Sequence, residues 1–264
     1  MELVARRHHR IDILDAVRGI AILSMVVYHA LYDIEDVFGI RVPVFETLAV
    51  LEPPFAGAFI LLAGISCRFS HNNVRRGVRV LAVAMIVTLV TALFSYFVAP
   101  GETIVFGILH FMGAAILLYV CVGPAVDRIP PVPAAVLWTV LFALTYSLPW
   151  SDSVGIQGLF TVALPEWTRH VPGLFLLGMP DAHFSSADYF PLIPWMFLFL
   201  LGTVLGIPIR DHRLPDWFYS ARVPFFAAAG RNTLQIYVLH QPVIYLLLWL
   251  FFRLAGGYFG LTGF

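Results

Sequence analysis

The chain contains no lysine: all 16 of its basic residues are arginine. Charge of either sign is scarce, at 12% of 264 residues, against about 25% in an ordinary soluble domain. Hydrophobic residues make up 60% of the chain, more than a soluble core can hide. Cysteine is nearly absent. Cys67 and Cys121 fall at the ends of apolar blocks assigned below to the cytosolic face, which leaves little support for a disulfide framework or a metal site. A formal net charge of zero carries no electrostatic signal for nucleic acid.

Most of what remains is apolar blocks of about 18 to 22 residues, the length that crosses about 30 Å of hydrocarbon at 1.5 Å per residue. The fold expected is an all-α, polytopic integral membrane helix bundle forming a single domain over 1–264. Seven crossings are read near 13–32, 48–68, 78–98, 104–123, 132–149, 189–207 and 233–254. Two shorter apolar stretches, 171–179 and 223–229, suit interfacial or re-entrant segments packed against protein, and an eighth crossing stays open. The first block is too long for a cleavable signal and lacks a small-residue cleavage site. No internal repeat is evident, which weighs against a repeat-built transporter.

The arginines orient the bundle. With the N-terminus inside, Arg6, Arg7, Arg10, Arg68, Arg75, Arg76, Arg79, Arg128, Arg210, Arg213, Arg222 and Arg231 are cytoplasmic, while Arg41, Arg169 and Arg253 lie outside. Basic residues favour the cytoplasmic side, so a plasma-membrane protein with an extracytoplasmic C-terminus is expected. Asp33, Glu35, Asp36, Glu46, Glu52, Glu102, Asp152, Glu166, Asp181 and Asp188 are read as outer-segment acids. The long outer segment 150–188, rich in Pro, Gly and Trp, has room for a lid or an acceptor site, or is an ordinary solvated loop.

The polar residues inside the spans carry the functional information. Arg18 and His29 are 11 positions apart, or about 20° apart around a helix and about 16 Å along it. Asp15 precedes Arg18 by three residues, within ion-pair reach on the same side. A charged stripe turned to lipid costs several kcal/mol, so this face looks into the bundle or a wet cavity. It is either a pair that neutralises itself for packing or a functional site. His110 lies about two turns into the fourth span from its outer end, at a depth comparable to His29, so the two histidines could face one outer cavity; a buried histidine is also often a satisfied core residue.

Asp188-Tyr-Phe-Pro-Leu-Ile-Pro-Trp195 opens the sixth span, where Asp188 suits an N-cap and free amides would also suit a polar acceptor group. In Gly230-Arg-Asn-Thr-Leu-Gln-Ile-Tyr-Val-Leu-His-Gln-Pro242, Pro242 frees backbone carbonyls near Gln235, His240 and Gln241. The basic run Arg68, Arg75, Arg76 and Arg79 serves either as a topology anchor or as a holder of cytosolic phosphates.

The run Arg10-Ile-Asp-Ile-Leu-Asp-Ala-Val-Arg-Gly-Ile-Ala-Ile-Leu-Ser-Met-Val-Val-Tyr-His29 resembles the first-helix signature of the heparan-α-glucosaminide N-acetyltransferase-like family. Phe59–Ser66, Arg76–Gly77, Phe106–His110, Asp188–Trp195 and Gly230–Pro242 fall where that family has recurrent segments. The Arg18-to-His29 spacing is also similar to the arginine-histidine motif of acyltransferase type 3 membrane enzymes. The resemblance implies a membrane acyltransferase that moves an acetyl or other short acyl group from cytosolic acetyl-CoA (acyl-CoA) to an amine or hydroxyl of an extracytoplasmic sugar or glycan. It puts His29 forward as the transferring residue. With the residue readings above, His29, His110 and Asp188 form the catalytic set, and Asp15, Arg18, Arg68, Arg75, Arg76 and His240 the cofactor side. No metal is expected, and self-association is left open. The rival reading is a carrier or channel using the same polar stripe.

A reporter fused after Phe264 is expected to read extracytoplasmic, and one inserted within 210–222 cytosolic. A cytosolic C-terminus would mean that one apolar stretch had been misassigned.

Overall fold

The computed structural model describes residues 11–98 and 100–259; Arg6, Arg7 and Arg10 of the inner basic set lie outside that range, as does the C-terminal Phe264. The described chain is a membrane-type helix assembly, 70% helical. Its helices are α1 (Asp12–Tyr32), α2 (Phe45–Ala49), α3 (Glu52–Cys67), α4 (Asn73–Phe97), α5 (Ile108–Val126), α6 (Pro131–Thr145), α7 (Leu192–Arg210), α8 (Asp216–Ser220), α9 (Pro224–Arg231) and α10 (Thr233–Phe259). Among the described residues six helical stretches are long and apolar enough to cross a bilayer: Asp12–Val37, Asn73–Phe97, Ile108–Val126, Pro131–Trp150, Leu192–Arg210 and Thr233–Leu254. The remaining expected crossing is α3, whose 16 residues reach about 24 Å.

The stretch expected at 171–179 is a single 3-10 turn, Leu174–Leu177, flanked by Gly173 and Gly178 with φ of 90° and 91°. The one at 223–229 is the short helix α9. The long outer segment is not a featureless loop. It holds an antiparallel ribbon of β1 (Ser153–Ile156) and β2 (Phe160–Ala163).

Two compact units form, one from residues up to Phe59 together with Leu214 onward, the other from Ile60–Arg213. The division falls inside α3.

In the first unit α1 starts with Asp12 and Asp15 in its opening turn, where carboxylates complement the positive end of the helix. It does not stop at Tyr32 but continues as a π turn over Asp33–Val37. The buried positions of α1 are small or slim: Ala16, Gly19, Ala21 and Ile22. This lets α9 come into backbone contact. A Cβ on Gly19 would lie 1.9 Å from the Phe226 carbonyl oxygen, and one on Gly230 would lie 1.7 Å from that of Asp15. Small residues at such crossings let helices approach closely where lipid supplies no hydrophobic drive. α10 also packs on α1 and runs continuously through Pro242.

In the second unit the same device recurs. A Cβ on Gly64 of α3 would lie 2.1 Å from the Phe199 carbonyl oxygen of α7, and one on Gly202 would lie 2.2 Å from that of Leu61. Gly113 of α5 meets the backbone of α4 at Leu81. Phe111, Ala115 and Ile116 of α5 and Phe199 of α7 are fully buried, and Trp138 stacks on Phe197 across α6 and α7 at 6.2 Å. Asn72 caps α4 by accepting from the Arg75 amide at 2.8 Å. Ile193 stays extended (φ −104°, ψ 127°) near the start of α7, as the proline after it demands.

Gly230→Ala is expected to lower the thermal midpoint in detergent, because a methyl there must push the α1 and α9 backbones apart at about 1–3 kcal/mol. A differential scanning fluorimetry curve superimposable on the wild type would refute that packing.

Candidate active site

The first unit carries a line of polar side chains along α1. At its start Arg18 Nη1 donates to Asp15 Oδ1 at 2.8 Å. Nearby, the Asp12 carboxylate faces Arg222 at 3.8 Å and Arg231 at 3.9 Å. The other end of the helix brings His29 against His240 of α10, with ring centroids 5.0 Å apart and planes inclined by 52°. Tyr28 flanks His29 edge-on at 5.5 Å, and Tyr237 flanks His240 at 5.7 Å.

The two imidazoles are held differently. His240 Nδ1 lies 2.6 Å from the Tyr237 carbonyl oxygen. A carbonyl only accepts, so Nδ1 carries the proton and the neutral ring presents a lone pair at Nε2. That Nε2 is buried and has no hydrogen-bond partner among the described residues. His29, half-buried, has no hydrogen bond from either ring nitrogen among the described residues.

One turn beyond His29, Asp33 is fully buried and accepts from Gln241 Nε2 at 2.7 Å. Because the Gln241 amide nitrogen faces the carboxylate, its Oε1 points elsewhere, and it too is buried without a partner among the described residues. The sequence reading assigned Asp33 to the outer segment as one more loop acid; instead α1 carries it inward on the π turn. A signal was present. Asp33 follows His29 by four residues, about 40° around the helix, so it prolongs the Asp15, Arg18, His29 stripe. π turns inside helices are frequent at functional sites.

The second unit holds His110 and Asp188. His110 is buried in the first turn of α5. Its Nδ1 accepts from the Gly107 amide at 3.3 Å, and its Nε2 lies 3.0 Å from Thr88 Oγ1. Thr88 gives its only hydroxyl proton to the Ile104 carbonyl at 2.8 Å, so Nε2 must be the donor to Thr88. Both ring nitrogens are therefore engaged.

Asp188 was expected to cap its own span. It does not: Pro191 sits at the N-cap of α7, and the Asp188 carboxylate accepts from the Ile108 amide at 3.0 Å. It caps α5, an element far away in sequence, because residues 186–190 run alongside 103–107. Ser186 Oγ accepts from the Val105 amide, and the Phe190 amide donates to the Phe106 carbonyl at 3.1 Å. Close by, the Tyr189 hydroxyl donates to the Phe175 carbonyl at 2.6 Å. Burial pushes its pKa up, against an opposing pull from Arg169.

The basic run divides. Arg68 is committed within the protein: Nε donates to the Thr203 carbonyl at 2.8 Å, and both terminal nitrogens grip Asp127 at 2.7 and 2.6 Å. Burial is the largest single influence and opposes its charge, but Asp127, Tyr119 and Cys67 together outweigh it and raise the guanidinium above its ordinary pKa. The ring of Tyr119 lies 5.6 Å from its Cζ. Arg76 is half-buried and donates to Cys67 Sγ at 3.6 Å, whereas Arg75 and Arg79 are exposed. Among the described residues no three His, Cys, Asp or Glu side chains gather as they would around a metal ion.

A family model described as heparan-alpha-glucosaminide N-acetyltransferase, catalytic, matches residues 10–242. The chain belongs to this family. The match starts just before α1 and ends at Pro242, so it contains both halves of the imidazole pair, Asp33 and Gln241. Curated proteins and solved structures gave no match. The resemblance read from the first-helix run is thus established at the level of the family, and the apolar helices make this N-acetyltransferase family member a multi-pass membrane protein.

Proposed function

We propose that this protein transfers an acetyl group from acetyl-CoA to an amine or hydroxyl of a sugar or glycan on the far side of the membrane, with His29 and His240 as the transfer centre. The carrying observation is the imidazole pair at 5.0 Å, in which the Tyr237 carbonyl fixes the tautomer of His240.

The unpaired polar atoms support the substrate class. His240 Nε2 and Gln241 Oε1 are both acceptors and both buried, and the Gln241 amide nitrogen already serves the Asp33 carboxylate. A cluster with surplus acceptors suits a ligand that brings donors, as an amino sugar or a hydroxyl does, because an unmade buried hydrogen bond costs about 1–3 kcal/mol.

In this reading an imidazole nitrogen takes the proton from the acceptor's amine or hydroxyl while that atom attacks the thioester carbonyl carbon. The carbon–sulfur bond then breaks, and the imidazolium returns the proton to the leaving thiolate, giving CoA and the acetylated product. His29, with no hydrogen bond to another described residue, is free to turn toward the reacting atoms. The alternative route forms an acetyl-imidazole first and then passes the acetyl group to the acceptor.

Arg75 and Arg79, exposed, are the candidates for the CoA phosphates, with Arg76 beside them. Arg68 stands as the structural member of that run, since its donors serve Asp127 and Thr203. Asp15 and Arg18 belong to the cofactor side of α1 or hold the helix in place. His110 and Asp188 act as positioning residues that fix the start of α5.

Purified protein in liposomes, given acetyl-CoA and D-glucosamine, is expected to release CoA. His29→Ala should lower that turnover by about 10²- to 10⁴-fold while CoA binding and the elution profile stay unchanged. Solute uptake without CoA turnover would favour the carrier reading, and a fully active His29→Ala protein would overturn the mechanism.

A further inference from the structure

The β1–β2 ribbon has one apolar face and one that is not. Its register pairs Val154 with Val162 and Ile156 with Phe160, while Ser153 faces Ala163 and Gly155 faces Thr161. Directly opposed residues share a face, and so do alternate residues along a strand. Val154, Ile156, Phe160 and Val162 therefore form one side, and Ser153, Gly155, Thr161 and Ala163 the other. The apolar side is open at three of its four positions, Val154 being half-buried. Ile156 is 40% exposed, Phe160 51%, Val162 66%, and Leu159 at the turn 75%. Trp150 and Trp167, on either side of the ribbon in sequence, are each 61% exposed.

Charge follows the same division. No ionisable residue occurs from Ser153 to Leu164. The charged groups stand at the base, where Arg169 pairs with Asp152 at 2.8 Å and donates to the carbonyls of Ser151 and Pro180. The Leu164 amide closes the base on the Asp152 carbonyl at 2.8 Å.

A two-stranded ribbon exposing such a face is marginal in water at best, and a bare apolar edge invites aggregation. Its place in the chain supplies a different medium. From Pro131 to Trp150 the helical segment has 20 residues, about 30 Å, which is one hydrocarbon thickness. The ribbon begins three residues after Trp150 and packs against α6 through β1. It therefore lies at the level where α6 leaves the bilayer. Along α6 itself Val132, Val136 and Val140 are exposed at a four-residue spacing, the pattern of a lipid-facing stripe. Tryptophan concentrates at this depth in membrane proteins.

We propose that the β1–β2 ribbon is an interfacial anchor, its face of Val154, Ile156, Phe160 and Val162, with Leu159 and the flanking Trp150 and Trp167, lying in the headgroup–acyl boundary of the leaflet where α6 ends. On the opposite face Gly155 is buried, and the exposed Thr161 of β2 is turned to water. The anchor holds the long segment between α6 and α7 down on the bilayer, and it does so whether or not the protein transfers acetyl groups.

The test is nitroxide labelling of single cysteines in a Cys67→Ala, Cys121→Ala background that elutes and melts like the wild type, reconstituted in phosphatidylcholine liposomes. Labels at Phe160→Cys and Val162→Cys should collide several-fold more with oxygen than with a water-soluble nickel chelate, and a label at Thr161→Cys should show the reverse. Leu159→Cys provides a further apolar-side site if Phe160→Cys does not fold. Equal nickel access at all positions would overturn the proposal. So would spin–spin broadening at 160 and 162 between labelled copies, which would make a second protein chain the occupant.

Discussion

A polar side chain inside an apolar helix has to find its partner within the protein, because lipid offers none. That constraint accounts for most of the side-chain geometry in both units. In the first, Asp15 takes Arg18 and Asp33 takes Gln241. In the second, Thr88, Gly107 and Ile104 close around His110, and Asp127 with the Thr203 carbonyl closes around Arg68. The pairing is incomplete in the second unit at Asn73 Oδ1, Ser147 Oγ and the indole nitrogens of Trp138 and Trp195, which are buried without partners among the described residues. His240 Nε2 and Gln241 Oε1 are buried without partners among the described residues, and they are neighbours on the helix that faces His29. Under the proposed function these two acceptors are the ones that a donor-bearing substrate would complete.

Backbone contact between helices makes those pairings possible. Gly19 and Gly230 bring α9 onto α1 with no side chain between them. In the second unit Gly64 and Gly202 do the same for α3 and α7. Without a hydrophobic force to press helices together in lipid, this packing is what holds polar side chains at hydrogen-bond distance.

Much of this was legible in the sequence because a bilayer imposes a length scale. Runs near 20 apolar residues marked the long helices, and the arithmetic of 100° per residue put Asp15, Arg18 and His29 on one stripe. The ion pair at 2.8 Å follows from that spacing. What stayed hidden depends on contacts between segments distant in the chain. Nothing local says that His240 meets His29, 211 positions earlier, or that Asp188 caps α5 instead of its own span. Arg68 looked like the rest of its basic run, and only the fold shows that Asp127 claims it. Asp33 was misplaced for a different reason: a helix end was expected where α1 tightens into a π turn and continues. The ribbon at 153–163 escaped notice because strands this short, with Gly155 and Gly158 among them, read as loop.

The central claim is that His29 and His240 act as one unit, and a double-mutant cycle measures it most directly. Acetyl transfer from acetyl-CoA to D-glucosamine would be compared for His29→Ala, His240→Ala and the double variant, each verified by its melting curve. Residues that share one step are strongly non-additive, so the double variant should be no slower than the slower single variant. Losses that multiply would mean that the two imidazoles contribute separately, and the pair would not be the transfer centre.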